Sequence, residues 1–149
     1  MSMPKEFEEY VQQGIIRKSS MNKSRAEFLI GEAEKALRGL NKRVEVMGID
    51  EDNANSIIKD CYDIMMELIR AKLFLDGYSS AGQFAHEAEI SYLKKHNFSD
   101  NDISVINDVR YFRNSVMYYG KILGVGYAQK VVEFMKKMYP KLKTMVTQK

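Results

Sequence analysis

Cysteine appears once in the 149 residues, at Cys61, and a single thiol excludes both an internal disulfide and a thiolate metal cluster. Set between Ile57 and Met65 at helical spacing, it reads as a core thiol. Histidine appears twice, as His86 and His96, with no clustered carboxylate or thiolate beside the pair, so no metal and no cofactor are expected. No apolar run approaches the ~20 residues that span a bilayer, and residues 1–10 are acidic rather than basic-then-apolar. Neither a membrane span nor a secretion signal is therefore expected, and the cytoplasm is the expected compartment. Proline appears twice, turn clusters are few, and no internal repeat is visible. A dominant charge sign is also missing. The 23 Lys and Arg against 20 Asp and Glu leave +3, so phosphate recognition must be local rather than a general coating of nucleic acid.

What is present suits one domain over residues 1–149, long enough to bury roughly 70% of the surface of its unfolded form. A hydrophobic fraction of 45% beside 29% charged residues is that of a globular chain, folding alone or as a small oligomer. Apolar residues recur at three and four, which predicts an all-α fold: an up-and-down antiparallel bundle of about five to six helices, with no strand.

A short helix over residues 4–13 begins at Pro4, stops at Gly14 and is expected to pack as an arm. After the basic stretch Arg17, Lys18, Lys23 and Arg25, a long helix over 22–46 carries Phe28, Leu29, Ala33, Ala36, Leu37, Leu40 and Val44 on its apolar side until Gly48. Asp50, Asp52 and Asn53 offer caps to the next helix, which carries Ile57, Cys61, Ile64, Met65, Leu68 and Leu73 before Gly77; their loop lacks the glycine and distal glutamate of a calcium site. A fourth helix over 81–95 lines Ala81, Ala85 and Ala88 on one side for close approach of a neighbour. The fifth, over 100–119, follows a Ser99 cap with Asp102 as the acid of a capping box, and Gly120, Gly124 and Gly126 then break the chain. The last, over 127–146, meets Pro140, which should kink or divide it.

Winding the fifth helix at about 100° per residue groups Val105, Ile106, Val109, Phe112, Val116 and Met117 in one apolar arc, and Arg113 falls inside it. A guanidinium directed at a core cannot lose its charge and must find a carboxylate, a carbonyl or a phosphate. Glu89, on the alanine-lined face, is the first candidate acid. Arg110, Arg113, Asn114 and Tyr118 together form a polar wall offering guanidinium forks, an orienting amide and an aromatic face. Structural salt bridges explain the same arginines. His86 reads as a packing or surface histidine, since nothing in the sequence sets its distance from Arg113. Arg17, Lys18, Lys23 and Arg25, with Lys136, Lys137, Lys141 and Lys143, suit either an RNA backbone or a solvated face. Gly124-Val125-Gly126 lacks a preceding strand and a third glycine, so it reads as a turn rather than a dinucleotide fingerprint.

The run from Arg110 through Arg113-Asn114 to Tyr118, Tyr119 and Gly120 resembles the motif of the HEPN family: an arginine, commonly a polar residue next, then four to six positions, then histidine. The resemblance extends over most of the chain, including residues 62–77 and 84–88 as the family's central hairpin. It implies an up-and-down bundle that pairs as a homodimer with two motif helices facing each other. In active members it implies metal-independent RNA cleavage by the arginine and histidine; in others, nucleotide binding or partnership with a nucleotidyltransferase. Here Tyr118, Tyr119 and Gly120 occupy the histidine window, and a tyrosine with a pKa near about 10 is no neutral-pH base. Three functions follow as expectations. The first is an RNA- or nucleotide-binding domain, weak or inactive as an enzyme, with site residues Arg110, Arg113, Asn114 and Tyr118 and Glu89 as supporting acid. The second is a metal-independent ribonuclease of a toxin–antitoxin-like system, with Arg113, Asn114 and Tyr118 as catalytic residues. The third is a non-enzymatic helical module for a protein partner.

Overall fold

A helix that is apolar on most sides must be surrounded by other helices, and the segment from Ile57 to Leu73 is the one such helix in this pattern. The computed structural model describes residues 3–119 and 124–148, with the backbone alone for 116–119. In chain order the elements are α1 (Phe7–Gln12), β1 (Ile16–Lys18), α2 (Lys23–Met47), α3 (Ala54–Leu75), β2 (Tyr78–Ser80), α4 (Ala85–Ser91), a 3-10 turn (Tyr92–His96), α5 (Asp100–Tyr119) and α6 (Val125–Thr147). The fold is an all-α helical bundle, and α3 is its centre. Ile57, Ile58, Cys61, Ile64, Met65, Leu68 and Ile69 of α3 are all buried, each isoleucine, leucine or methionine contributing about 1.5–3 kcal/mol. Among described residues, no helix is long and apolar enough to cross a membrane.

Successive long helices alternate in direction. Arg43 pairs with Asp60 near one end of the α2–α3 pair, and the Asn22 amide donates to the Phe74 carbonyl at the other, so these two run antiparallel. Asp102 meets Lys137 and Phe112 stacks edge-on against Tyr127, which sets α5 antiparallel to α6. As expected, Cys61 is fully buried, and that burial pushes its thiol up to about 12.

Several local expectations are corrected. A two-stranded antiparallel ribbon is present, pairing Ile16 with Ser80 and Lys18 with Tyr78. It takes residues 78–80 out of helical reach and carries pairing on into the Ala81 amide, which donates to the Ile15 carbonyl at 3.1 Å. The fourth helix therefore starts at Ala85, leaves Ala81 exposed outside it, and tightens into the 3-10 turn before residue 95. Under the ribbon, Phe7, Tyr10, Ile16, Leu73, Ala88 and Tyr92 form a second small core, which is what holds the α1 arm. Phe28 is 64% exposed, because the buried stripe of α2 runs through Ala26, Ala33 and Leu40 instead. Pro140 does not divide α6, since buried Met135, Met138, Leu142 and Met145 pack it across the missing backbone donor. Gly126 lies within α6 and Gly124 caps it; Gly120 lies outside the described residues. Asp50 and Asn53 stabilise the turn before α3 rather than its first free amides: the Asp50 carboxylate accepts from the Asp52 and Asn53 amides, and the Asn53 side chain donates to Gly48.

Gly77 joins α3 to β2 at a φ of +80°, and a Cβ placed there would lie 2.8 Å from the Ser19 carbonyl oxygen. That carbonyl cannot retreat freely, because the Ser19 amide is bonded to the Gly77 carbonyl at 2.8 Å. Gly77→Ala should therefore cost about 2 kcal/mol or more, combining left-handed strain with the clash. Urea unfolding measures it; an unchanged midpoint would contradict the turn geometry.

Candidate functional site

The site is built on α5, whose N-terminus is set where the sequence places it: the Asp102 amide donates to Ser99 Oγ at 3.1 Å. The Asp102 carboxylate reaches across to Lys137 at 3.2 Å and Lys141 at 3.5 Å of α6. With Ile103, Ile106 and Val109 buried on the core side, the helix has one permitted rotation. Of the apolar arc, Ile106 and Val109 are buried within the chain, Val105 and Phe112 are half-buried, and the side chains of Val116 and Met117 lie outside the described residues. The rotation of the helix turns Arg110, Arg113 and Asn114 toward the segment 82–87, and together they line a cavity of about 520 Å³.

The two arginines are held differently. Arg110 Nε donates to Asn107 Oδ1 at 2.9 Å, and its Nη2 lies 3.9 Å from Glu87 Oε1. The Arg113 guanidinium sits 5.8 Å from the centroid of the buried Tyr62 ring, with Nη2 3.8 Å from Asp63 Oδ1. Its side chain is only 18% exposed. A separation of 3.8 Å is beyond a hydrogen bond, and the buried Nε has no hydrogen-bond partner. Arg113 is therefore sheltered and paired to an acid as expected, yet under-used as a donor.

The acid is not Glu89. Glu89 is buried and accepts a two-pronged contact from Arg70, Nε at 3.0 Å and Nη2 at 2.9 Å, with Ser80 Oγ adding a bond at 2.5 Å. The reason lies on α3, where Asp63, Glu67 and Arg70 fall at i, i+4 and i+7 on one strip. Asp63 faces α5 and takes Arg113; Arg70, two turns on, faces α4 and takes Glu89. That polar strip, interrupting the apolar face of α3, is the signal that identifies Arg70 and Asp63 in advance. Burial raises the Asp63 carboxyl above its ordinary range, against the pull of Arg113.

His86 was not singled out by spacing, yet it lines the same cavity as Arg110, Arg113 and Asn114. It also lines two adjoining cavities, one with Arg25 and Arg70, the other with Tyr62 and Asp63. Its Nδ1 lies 3.4 Å from the Tyr62 hydroxyl. Burial lowers its pKa from 6.5; Glu89 opposes that shift, and Arg70 and Arg113 add to it. The shift favours the neutral imidazole, beside guanidinium groups. The side chain of Tyr118 lies outside the described residues, and among those described no group of three or more His, Cys, Asp or Glu can hold a metal.

A pH dependence follows with a definite sign. Burial lowers His96 as it does His86, with Lys72 adding to the shift. As pH falls through about 6.5 the unfolded chain binds protons first, so stability should decline from about pH 7.5 to about pH 5.5. Asp63 and Glu67, raised by burial, act oppositely. Urea midpoints measured across this range should fall for the native chain and flatten in His86→Gln/His96→Gln. Comparison with family models, with curated proteins and with solved structures finds no match for the chain.

Proposed function

We propose that the cavity between α4 and α5 binds a phosphate ester of RNA or of a nucleotide, in keeping with the resemblance to HEPN domains. The observation that carries this reading is Arg113: a sheltered guanidinium with an unpartnered Nε, opening on a cavity that Arg110 and Asn114 also line. A phosphate supplies the missing acceptors, and the guanidinium fork fits two of its oxygens at once. Arg110, already engaged by Asn107, adds charge more than new bonds, and the Asn114 amide orients the ester.

A metal-independent ribonuclease is the second reading, and His86 favours it over the tyrosines. An imidazole lining the arginine cavity, its neutral form favoured by burial, is the group there able to take a proton. The experiment compares the native chain, Arg113→Ala, His86→Ala and Tyr118→His for retention and chelator-resistant cleavage of single-stranded RNA. Binding without turnover, lost in Arg113→Ala, is expected on the first reading. Turnover abolished by both Arg113→Ala and His86→Ala establishes the second. Retention by none of the proteins at low salt moves a helical protein-interaction module to first place.

The resemblance adds a homodimer and a nucleotidyltransferase partner to the proposal. Light scattering across a dilution series tests the dimer, and 17.2 kDa at every concentration would leave each motif helix to work alone.

A further inference from the structure

A separate cavity of about 560 Å³ lies at the C-terminal end of α3, between the 3-10 turn and the last turns of α6, and it shares no lining residue with the cavities around His86. Its walls bring Lys72, Lys95, Lys141 and His96 together, and no carboxylate lines it. The acids that hold the three ammonium groups stand outside the lining: Asp76 at 3.2 Å from Lys72, Glu8 at 2.7 Å from Lys95, Asp102 at 3.5 Å from Lys141. Each ammonium carries three donors, so one such contact does not exhaust it.

His96 supplies the second observation. Its ring is fixed edge-on against Tyr92, with centroids 4.7 Å apart, and its buried Nε2 has no hydrogen-bond partner, the Asp76 carboxylate lying 3.9 Å away. Asn97, also in the wall, is the left-handed cap that ends the 3-10 turn, at a φ of 64°.

We propose that this cavity is a second binding site, for the phosphate of a small organic phosphomonoester. Three lysines and a histidine in one wall, with no carboxylate among the lining residues, suit a compact, doubly charged head, and the Nε2 of His96 is a donor still without an acceptor. Phosphate alone leaves much of the volume empty, and Phe98 and Met145 give the organic part an apolar wall. The site does not depend on the reading of the α4–α5 cavity.

The chain holds two histidines, one at each site, so proton NMR reads the sites separately. The full-length protein is titrated with adenosine 5′-monophosphate, inorganic phosphate, adenosine and chloride at matched ionic strength, with His86→Gln assigning the two imidazole signals. The His96 signal should shift saturably with the nucleotide, more weakly with phosphate, and not with adenosine or chloride. Lys95→Ala should weaken that response about tenfold, as expected for one charge-assisted hydrogen bond, while the His86 signal keeps its own behaviour. Lys95→Gln serves if the alanine variant loses its native spectrum. A His96 signal that stays still, that drifts linearly and equally with chloride, or that saturates unchanged in the lysine variants would overturn the site. A His86 signal indifferent to nucleotide bears only on the other cavity.

Discussion

Replacing Arg70 with methionine should destabilise the fold by about 3–5 kcal/mol, the cost of leaving a buried carboxylate without its cation. The carboxylate is that of Glu89, which would retain only the Ser80 hydroxyl of the three donors that now hold it. Arg70→Met/Glu89→Leu should regain most of the loss, because removing both charges ends the desolvation penalty while an apolar pair fills similar volume. The double variant, measured by urea unfolding beside both single ones, separates this from simple loss of packing. A cost below about 1 kcal/mol for Arg70→Met would mean that water reaches Glu89 and the clamp is weak. The clamp also positions the site. Glu89 lies one turn after His86 on α4 and Arg70 two turns after Asp63 on α3, so the pair sets His86 against Arg113.

Arg113→Ala should reduce retention of single-stranded RNA at least tenfold while leaving stability nearly unchanged. The two halves of this expectation have different causes. The contact to Asp63 is 3.8 Å long and its carboxylate is 45% exposed, and an ion pair of that kind contributes about 0–1 kcal/mol. The bonds to a bound phosphate are charge-assisted, and losing a forked pair removes at least the about 1.4 kcal/mol that corresponds to tenfold. Arg113→Lys should fall between, keeping the charge but not the fork. Arg110→Ala should weaken binding less, because Asn107 already takes one of its donors. Equal effects at the two positions would remove the distinction drawn between them.

Period made α3 legible from residues alone, and period with a cap made α5 so: Ser99 and the recurrence of Ile106 and Val109 place α5 at Asp100–Tyr119 as expected. The ribbon was not legible, because strands of three residues carry no alternation and the pairing joins Ile16 to Ser80 across more than sixty positions. That same pairing displaced the start of α4, where local composition still reads as helix. On α2 and α6 tertiary packing overrode local rules, exposing Phe28 and carrying the helix through Pro140. At the site, angular position was enough to foresee that Arg113 is sheltered and paired to an acid. Its partner required knowing which turn of α3 faces which helix, and so Asp63 took the place expected of Glu89. His86 was hidden for a related reason: its nearness to Arg113 exists only once α4 packs against α5.

Phosphate recognition by Arg113 is most directly tested by the salt dependence of RNA binding. The logarithm of the affinity is measured against the logarithm of salt concentration, for the native chain and for Arg113→Ala, on one unstructured RNA. Each phosphate contact contributes about 0.7 to the slope on a single strand, so the variant should bind more weakly at low salt and show a slope shallower by about that amount. Parallel lines with equal affinity would show that Arg113 touches no phosphate and would contradict the proposed site.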